Sequence, residues 1–190
     1  GSIGQHTAKI AKGFGMEVLA FDVAPHEAIA RKIGFTYVEM NELLSRSDVV
    51  SLHVPGNEET KNLISTEQFD AMKNGVVLIN TARGSVVDTE AMLRALASGK
   101  LRAAGLDVLA EEPAVREEAE LLRSYFRKAH NLEALLANHI LLRMRNVIIT
   151  PHSAFKTREA VERILTTTRD NIGSFIRGKP RNLVINFRAK

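Results

Sequence analysis

Three side chains have types and settings that suit joint chemistry. Arg83 lies in Asn80-Thr81-Ala82-Arg83-Gly84, Glu112 in Asp107-Val108-Leu109-Ala110-Glu111-Glu112-Pro113, and His152 in Thr150-Pro151-His152-Ser153-Ala154-Phe155. Each segment follows an apolar run that reads as a buried strand, such as Val76-Val77-Leu78-Ile79 or Val147-Ile148-Ile149. In an open parallel sheet the carboxyl ends of the strands face one crevice, so these three ends would bring an anion clamp and a tunable acid together. That combination points to chemistry on a small carboxylate. Taken singly, each residue has a plainer reading: Arg83 as a surface arginine in a turn, Glu112 as a solvated carboxylate beside Glu111, and His152 as a satisfied histidine at a strand end. Their joint occurrence at strand ends favours function. Glu111 competes with Glu112 for the acidic role.

The elements that must position these residues alternate along the chain. Strands are expected over Glu17 to Asp22, Thr36 to Glu39, Val49 to Val54, Val76 to Asn80, Ala103 to Asp107 and Val147 to Thr150, with amphipathic helical stretches between them. Strand-helix alternation of this kind predicts an α/β fold built on a doubly wound parallel sheet, with the strands covered on both faces. Ser65 and Gln68 fit a capping box opening a helix over Thr66 to Lys73, with Gly75 as its stop. Asp88 or Thr89 caps a helix running to Ser98 and ending at Gly99. A last long helix begins after Thr157, places Val161, Ile164, Leu165, Thr168, Ile172, Phe175 and Ile176 on one face, and stops at Gly178 and Pro180. Between Pro113 and Asn146 the chain reads as two inserted helices, Ala114 to Lys128 and Leu132 to Met144, with Leu121, Leu122, Tyr125 and Phe126 as packing residues. Such an insertion suits a subunit contact or a lid as well as it suits an edge decoration.

The chain opens Gly1-Ser2-Ile3-Gly4, followed by a helical pattern from Gln5 to Gly13 and a strand ending at Asp22. In a dinucleotide fingerprint the second and third glycines have this spacing. One lets the backbone approach the pyrophosphate, and the other lets helix and strand pack closely. The helix N-terminus offers N–H groups to the phosphates. Asp22 comes 18 residues after Gly4 (22 − 4), near the interval expected for a carboxylate that hydrogen-bonds a ribose. The first glycine of the fingerprint is not in the sequence. Gly1-Ser2 has an alternative origin as a vector-derived scar, whereas Ile3-Gly4 continues the fingerprint in register. A 2'-phosphate beside Asp22 would add negative charge that Val23-Ala24 does not offset, so the expected cofactor is NAD rather than NADP.

Composition narrows the class. With 45% hydrophobic and 25% charged residues in 190, the chain matches an ordinary globular domain. The net charge of +4 is scattered among Asp and Glu with no basic stripe and interleaved aromatics, so no nucleic-acid partner is expected. No apolar run is long enough to span a bilayer and no signal-peptide pattern opens the chain, so no membrane partner and a cytoplasmic location are expected. The absence of cysteine excludes disulfides and thiolate metal sites, and the six histidines lack ligand spacing, so no metal is expected.

These motifs together resemble the D-isomer-specific 2-hydroxyacid dehydrogenases. The resemblance rests on Gly1-Ser2-Ile3-Gly4-Gln5, Ser47-Asp48-Val49-Val50-Ser51-Leu52-His53-Val54-Pro55, Asn80-Thr81-Ala82-Arg83-Gly84, Gly105-Leu106-Asp107-Val108 and Thr150-Pro151-His152, and covers nearly the whole chain. It implies a Rossmann-type NAD-binding domain over residues 1–155, with a helical insertion at about 114–144. Residues 156–190 would form a C-terminal helix and tail returning to a substrate domain. That domain and the first strand of the nucleotide domain are expected to be missing here. By the same resemblance Arg83, Glu112 and His152 would be catalytic, the family register counted from Asp107 selecting Glu112 over Glu111. Gly1, Ser2, Ile3, Gly4, Asp22, His53, Val54, Pro55, Thr60, Thr81, Ala82, Asp107 and His152 would line the cofactor. For His53 a structural role is the competing reading. The implied reaction is reversible hydride transfer between NAD(H) and a small 2-keto acid, giving a D-2-hydroxy acid, and the implied assembly is a homodimer. The long stretch between Glu112 and His152, and Phe155 after Pro151-His152-Ser153-Ala154, resemble the D-lactate dehydrogenase branch. Lys156 departs from the tyrosine often found there. The alternatives are a glyoxylate or hydroxypyruvate reductase of the same family and a non-catalytic, NAD-sensing binding module.

Overall fold

The computed structural model describes residues 1–110 and 132–183. They form, in order, α1 (Ser2–Gly13), β1 (Leu19–Ala20), α2 (Glu27–Ile33), β2 (Thr36–Tyr37), α3 (Met40–Arg46), β3 (Val49–Leu52), α4 (Thr66–Ala71), β4 (Val76–Asn80), a 3-10 turn (Gly84–Val86) and α5 (Thr89–Ala97). β5 (Leu101–Leu106), α6 (Leu132–Leu141), β6 (Val147–Ile149) and α7 (Arg158–Ile176) follow. Two compact units divide the chain, residues 1–152 and 153–190.

In the first unit every strand pairing is parallel, as the alternating sequence requires. The strands form a pair, β1-β2, and a four-stranded sheet, β3-β4-β5-β6.

Pairing places Val50, Leu78, Ala104 and Val147 in one row and Leu52, Asn80, Leu106 and Ile149 in the next on the same face. That face is almost wholly buried and joins the core formed with Leu44 of α3, Ile64, Met92 and Leu96 of α5, and Leu141 of α6. The expectation of strands covered on both faces fails for the opposite face. Its row Ser51, Ile79, Gly105 and Ile148 is only partly covered, and Ile148 is 71% exposed. An apolar run records that a strand is buried somewhere along its length, and does not record which neighbours cover which face.

The starts of α4 and α5 follow their capping residues. Asp88, rather than Thr89, caps α5, its Oδ1 accepting from the Ala91 N–H at 3.0 Å. Gln68 Oε1 accepts from the Ser65 N–H at 3.1 Å and from its hydroxyl at 2.7 Å, which fixes the start of α4. The helix ends at Ala71, short of Lys73, and Gly75 is not its stop. Gly75 has φ 79° and donates its N–H to the Lys100 carbonyl at 2.9 Å, shaping the turn into β4 instead. α6 likewise ends at Leu141 rather than Met144. The expected helix over Ala114 to Lys128, with Leu121, Leu122, Tyr125 and Phe126, lies outside the described residues.

In the second unit, Thr157 caps α7 by accepting from the Ala160 N–H at 3.2 Å. The helix closes on Gly178, whose φ of 68° lets its N–H reach the Phe175 carbonyl and that of Lys179 reach Ser174, both at 2.9 Å. The expected apolar stripe is present but lies open, with Ile164, Leu165, Ile172, Phe175 and Ile176 all exposed.

Candidate functional site

Strand register brings the candidate residues to one edge. Leu52 pairs with Asn80, Asn80 with Leu106, and Leu106 with Ile149, so β3 to β6 end side by side. The ladder continues one step further on two strands: the Asp107 N–H donates to the Asn80 carbonyl at 2.9 Å and the Thr150 N–H to the Leu106 carbonyl at 3.0 Å. His53, Thr81, Asp107 and Thr150 therefore begin four adjacent loops. At about 4.8 Å between neighbouring strands, the loops carrying Arg83 and His152 leave the sheet about 10 Å apart, with the Asp107 loop between them.

Asn80 holds the Arg83 loop. This side chain is 1% exposed, and its Oδ1 accepts from the Ala82 N–H while its Nδ2 donates to the Arg83 carbonyl, both at 3.0 Å. Arg83 itself is exposed and donates Nη1 to the Ala82 carbonyl at 2.7 Å. Gly84 follows because nothing larger fits: a Cβ there would lie 2.1 Å from both the carbonyl carbon and oxygen of Leu109. Its lack of a side chain lets the Arg83 turn rest on the Leu109-Ala110 peptide, which leads toward Glu111 and Glu112. From the other direction Asn138 of α6, 2% exposed, donates Nδ2 to the Ala110 carbonyl at 2.7 Å, and its Oδ1 has no hydrogen-bond partner. Glu111 and Glu112 lie outside the described residues.

His152 ends a tight turn through Pro151, its N–H donating to the Thr150 carbonyl at 2.9 Å. Its φ of 49° puts it in the left-handed region, which is uncommon for a residue with a side chain and recurs at functional sites. The turn is tied to β5, since the Thr150 hydroxyl donates to the Asp107 carboxylate, which is 6% exposed. Buried Asp107 thus anchors the histidine loop.

Most of the remaining cofactor candidates lie on α1, after β1 and on the loop after β3. α1 begins at Ser2, so Gly1-Ser2-Ile3-Gly4 forms its first turn, with Gly1 as cap and no acidic residue among the first positions. Asp22 leaves β1 beside this turn, its Oδ2 3.7 Å from the Gly1 amino group and its Oδ1 accepting from the Ala24 N–H at 3.0 Å. A Cβ at Gly4 would meet His53 at 3.4 Å, an ordinary contact, so the small residue lets α1 lie against the end of β3 but alanine would also fit. His53 bonds Ser51 Oγ through Nε2 at 2.9 Å. Burial lowers its pKa below the ordinary histidine value. The neighbouring loop is self-contained: the Thr60 hydroxyl donates to the Pro55 carbonyl at 2.6 Å and accepts from the Asn57 N–H at 3.0 Å. Pro55 and Thr81 are exposed at the edge, Val54 is half-buried and Ala82 is buried.

These features fit a dinucleotide. A helix start with no side-chain acceptor suits a pyrophosphate, the adjoining carboxylate suits a ribose, and the exposed loop ends leave room for a ring and a small acid. Among the described residues no group of three His, Cys, Asp or Glu is placed to hold a metal ion, and no helix is long and apolar enough to cross a membrane. Sequence reasoning did not single out Asn80 and Asn138 as positioning residues, nor Gly84 as a point of close approach. Asn80 was legible in principle, as a buried-strand position occupied by an amide ahead of a turn.

Comparison with known proteins agrees with this geometry. Residues 1–154 match the family model described as "D-isomer specific 2-hydroxyacid dehydrogenase, NAD binding domain". The chain is 39% identical over 184 residues to a glycerate dehydrogenase of Methylorubrum extorquens, covering 97% of this chain and 50% of the relative. It is 44% identical over 170 residues to a D-specific alpha-keto acid dehydrogenase of Enterococcus faecalis, covering 90% and 47%. A crystal structure of D-lactate dehydrogenase from Aquifex aeolicus, complexed with NAD and lactic acid, superposes with a TM-score of 0.83 at 42% identity, over 94% of this chain and 52% of that one. The chain spans about half the length of the curated relatives it matches. The chain therefore belongs to the D-isomer specific 2-hydroxyacid dehydrogenase family, through that family's NAD-binding domain.

Proposed function

We propose that the full-length protein is an NAD-dependent dehydrogenase interconverting small 2-keto acids and D-2-hydroxy acids, with a D-lactate-like substrate. One observation supports the reading: parallel register ends the strands before the Arg83 and His152 loops side by side in the four-stranded sheet, and Gly4, in the turn beside Asp22, lies against His53 at the end of β3 of that sheet. The D-lactate leaning rests on the long segment before His152 and on Phe155. A cytoplasmic homodimer completes the proposal.

When bound, the nicotinamide supplies or accepts the hydride at the keto carbon. Arg83 holds the substrate carboxylate through its two-pronged guanidinium, which fixes the orientation of the neighbouring keto group. His152 donates a proton to the keto oxygen during reduction and takes it back during oxidation. Glu112 is assigned the orienting role toward His152. The Gly1–Gly4 turn and Asp22 hold the pyrophosphate and the adenosine ribose.

Arg83→Lys in the full-length protein tests the clamp, because lysine keeps the charge and loses the fork. The KM for the keto acid should rise at least about tenfold while NADH affinity holds. An unchanged KM overturns the role.

A further inference from the structure

A glycine on the β3 loop borders the arginine of the β4 loop. A Cβ built on Gly56 would lie 2.7 Å from Arg83 Cγ, 3.1 Å from its Cβ and 3.6 Å from its Cδ. Gly56 is absent from the residues with left-handed backbone, so its conformation does not demand glycine. A side chain there would instead meet the volume that the Arg83 stem occupies.

The crowded atoms belong to the base of the arginine. A clash with a guanidinium would be relieved by rotating the far end of a flexible chain, but Cγ, the atom in closest approach, moves only with χ1 or the backbone. The backbone is fixed by the two hydrogen bonds of Asn80 to Ala82 and Arg83. A side chain at position 56 would therefore push Arg83 into another staggered χ1 well, about 120° away, and swing the guanidinium to a different part of the crevice.

We propose that Gly56 is a positioning residue for the carboxylate clamp: by leaving its own side-chain volume empty, it sets where Arg83 presents its guanidinium to the substrate. The inference rests on the reading of Arg83 as that clamp. It makes position 56 a determinant of keto-acid recognition although glycine itself offers the substrate no side chain. A displacement of about 1 Å at a reacting group lowers rates by about a hundredfold, so even a partial shift of the arginine is measurable.

The experiment is a double-mutant cycle in the full-length protein, with Gly56→Ala, Arg83→Ala and the pair, read as keto-acid kcat and KM together with NADH affinity. Gly56→Ala should lower kcat/KM for the keto acid by about tenfold to a hundredfold and leave the NADH Kd within about twofold. In the Arg83→Ala background, where no stem remains to displace, the same substitution should change kcat/KM by less than about twofold. A silent Gly56→Ala beside a crippling Arg83→Ala overturns the role of Gly56 and leaves the clamp standing. Equal losses from Gly56→Ala in both backgrounds, or a matching loss of NADH affinity, also overturn it, since a distorted loop would give those results. If Arg83→Ala leaves keto-acid kinetics unchanged, the clamp and the role of Gly56 both fall.

Discussion

The Thr150 hydroxyl donates to the Asp107 carboxylate, joining the carboxyl end of β6 to that of β5 just before the chain turns into His152. The carboxylate sits in a residue only 6% exposed, so the bond satisfies a charged oxygen largely removed from water. Thr150→Val keeps the shape and removes the donor. It should lower unfolding stability by about 1 to 3 kcal/mol in urea titrations, whereas Thr150→Ser should stay within about 0.5 kcal/mol of wild type. Equal stability of the valine variant would mean that this bond does not anchor the turn.

Asn80 makes a stronger claim on the site. Its amide serves two backbone groups of the Arg83 turn from a fully buried position, and alanine would strand both while leaving a cavity. The expected loss for Asn80→Ala is about 2 to 5 kcal/mol of unfolding free energy, read as a lower urea midpoint at unchanged m value. In the full-length protein the keto-acid KM should rise by more than the NADH Kd. A variant with normal stability would separate the amide from the turn.

His53 gives a pH dependence of defined sign. Its folded-state pKa is lowered, chiefly by burial, so the unfolded chain binds the proton more readily. This group therefore leaves stability unaffected above its unfolded pKa of about 6.5 and subtracts from it as pH falls from there toward the lowered folded value. His53→Gln cannot titrate. Between about pH 7.5 and about pH 5.5, wild type should lose more stability than the glutamine variant, measured by urea unfolding. Parallel losses would remove His53 from the account.

Asp22 should govern the choice of dinucleotide. Half-buried beside the first turn of α1, it opposes a 2'-phosphate through like charge. Asp22→Asn in the full-length protein should shrink the ratio of kcat/KM with NADH to that with NADPH by about tenfold or more. An unchanged ratio would assign the discrimination elsewhere.

The sequence was most legible where one residue type had one job. Consecutive β-branched residues marked β4 and β6, and Asp88, Thr157 and Gly178 marked helix ends. Motif spacing likewise put Arg83 and His152 at strand ends, where parallel register places them. Glycine was harder to interpret. Gly75 serves a turn rather than a helix stop, while Gly84 is needed for the space it leaves, and no local pattern separates those uses. The paired and four-stranded sheets, and the open face at Ile148, depend on what lies beside each strand and are invisible to periodicity. Asn138 reaches Ala110 across 28 positions of chain, a separation no local rule addresses.

The most direct test of the central claim is NADH oxidation by the full-length protein with pyruvate, glyoxylate, hydroxypyruvate and longer 2-keto acids, with the product's configuration determined. The expected result is turnover to a D-2-hydroxy acid, a preference for a lactate-like substrate, and loss of turnover with retained NADH binding in Arg83→Ala and in His152→Gln. NADH binding without turnover of any keto acid would contradict it and favour a cofactor-sensing binding protein.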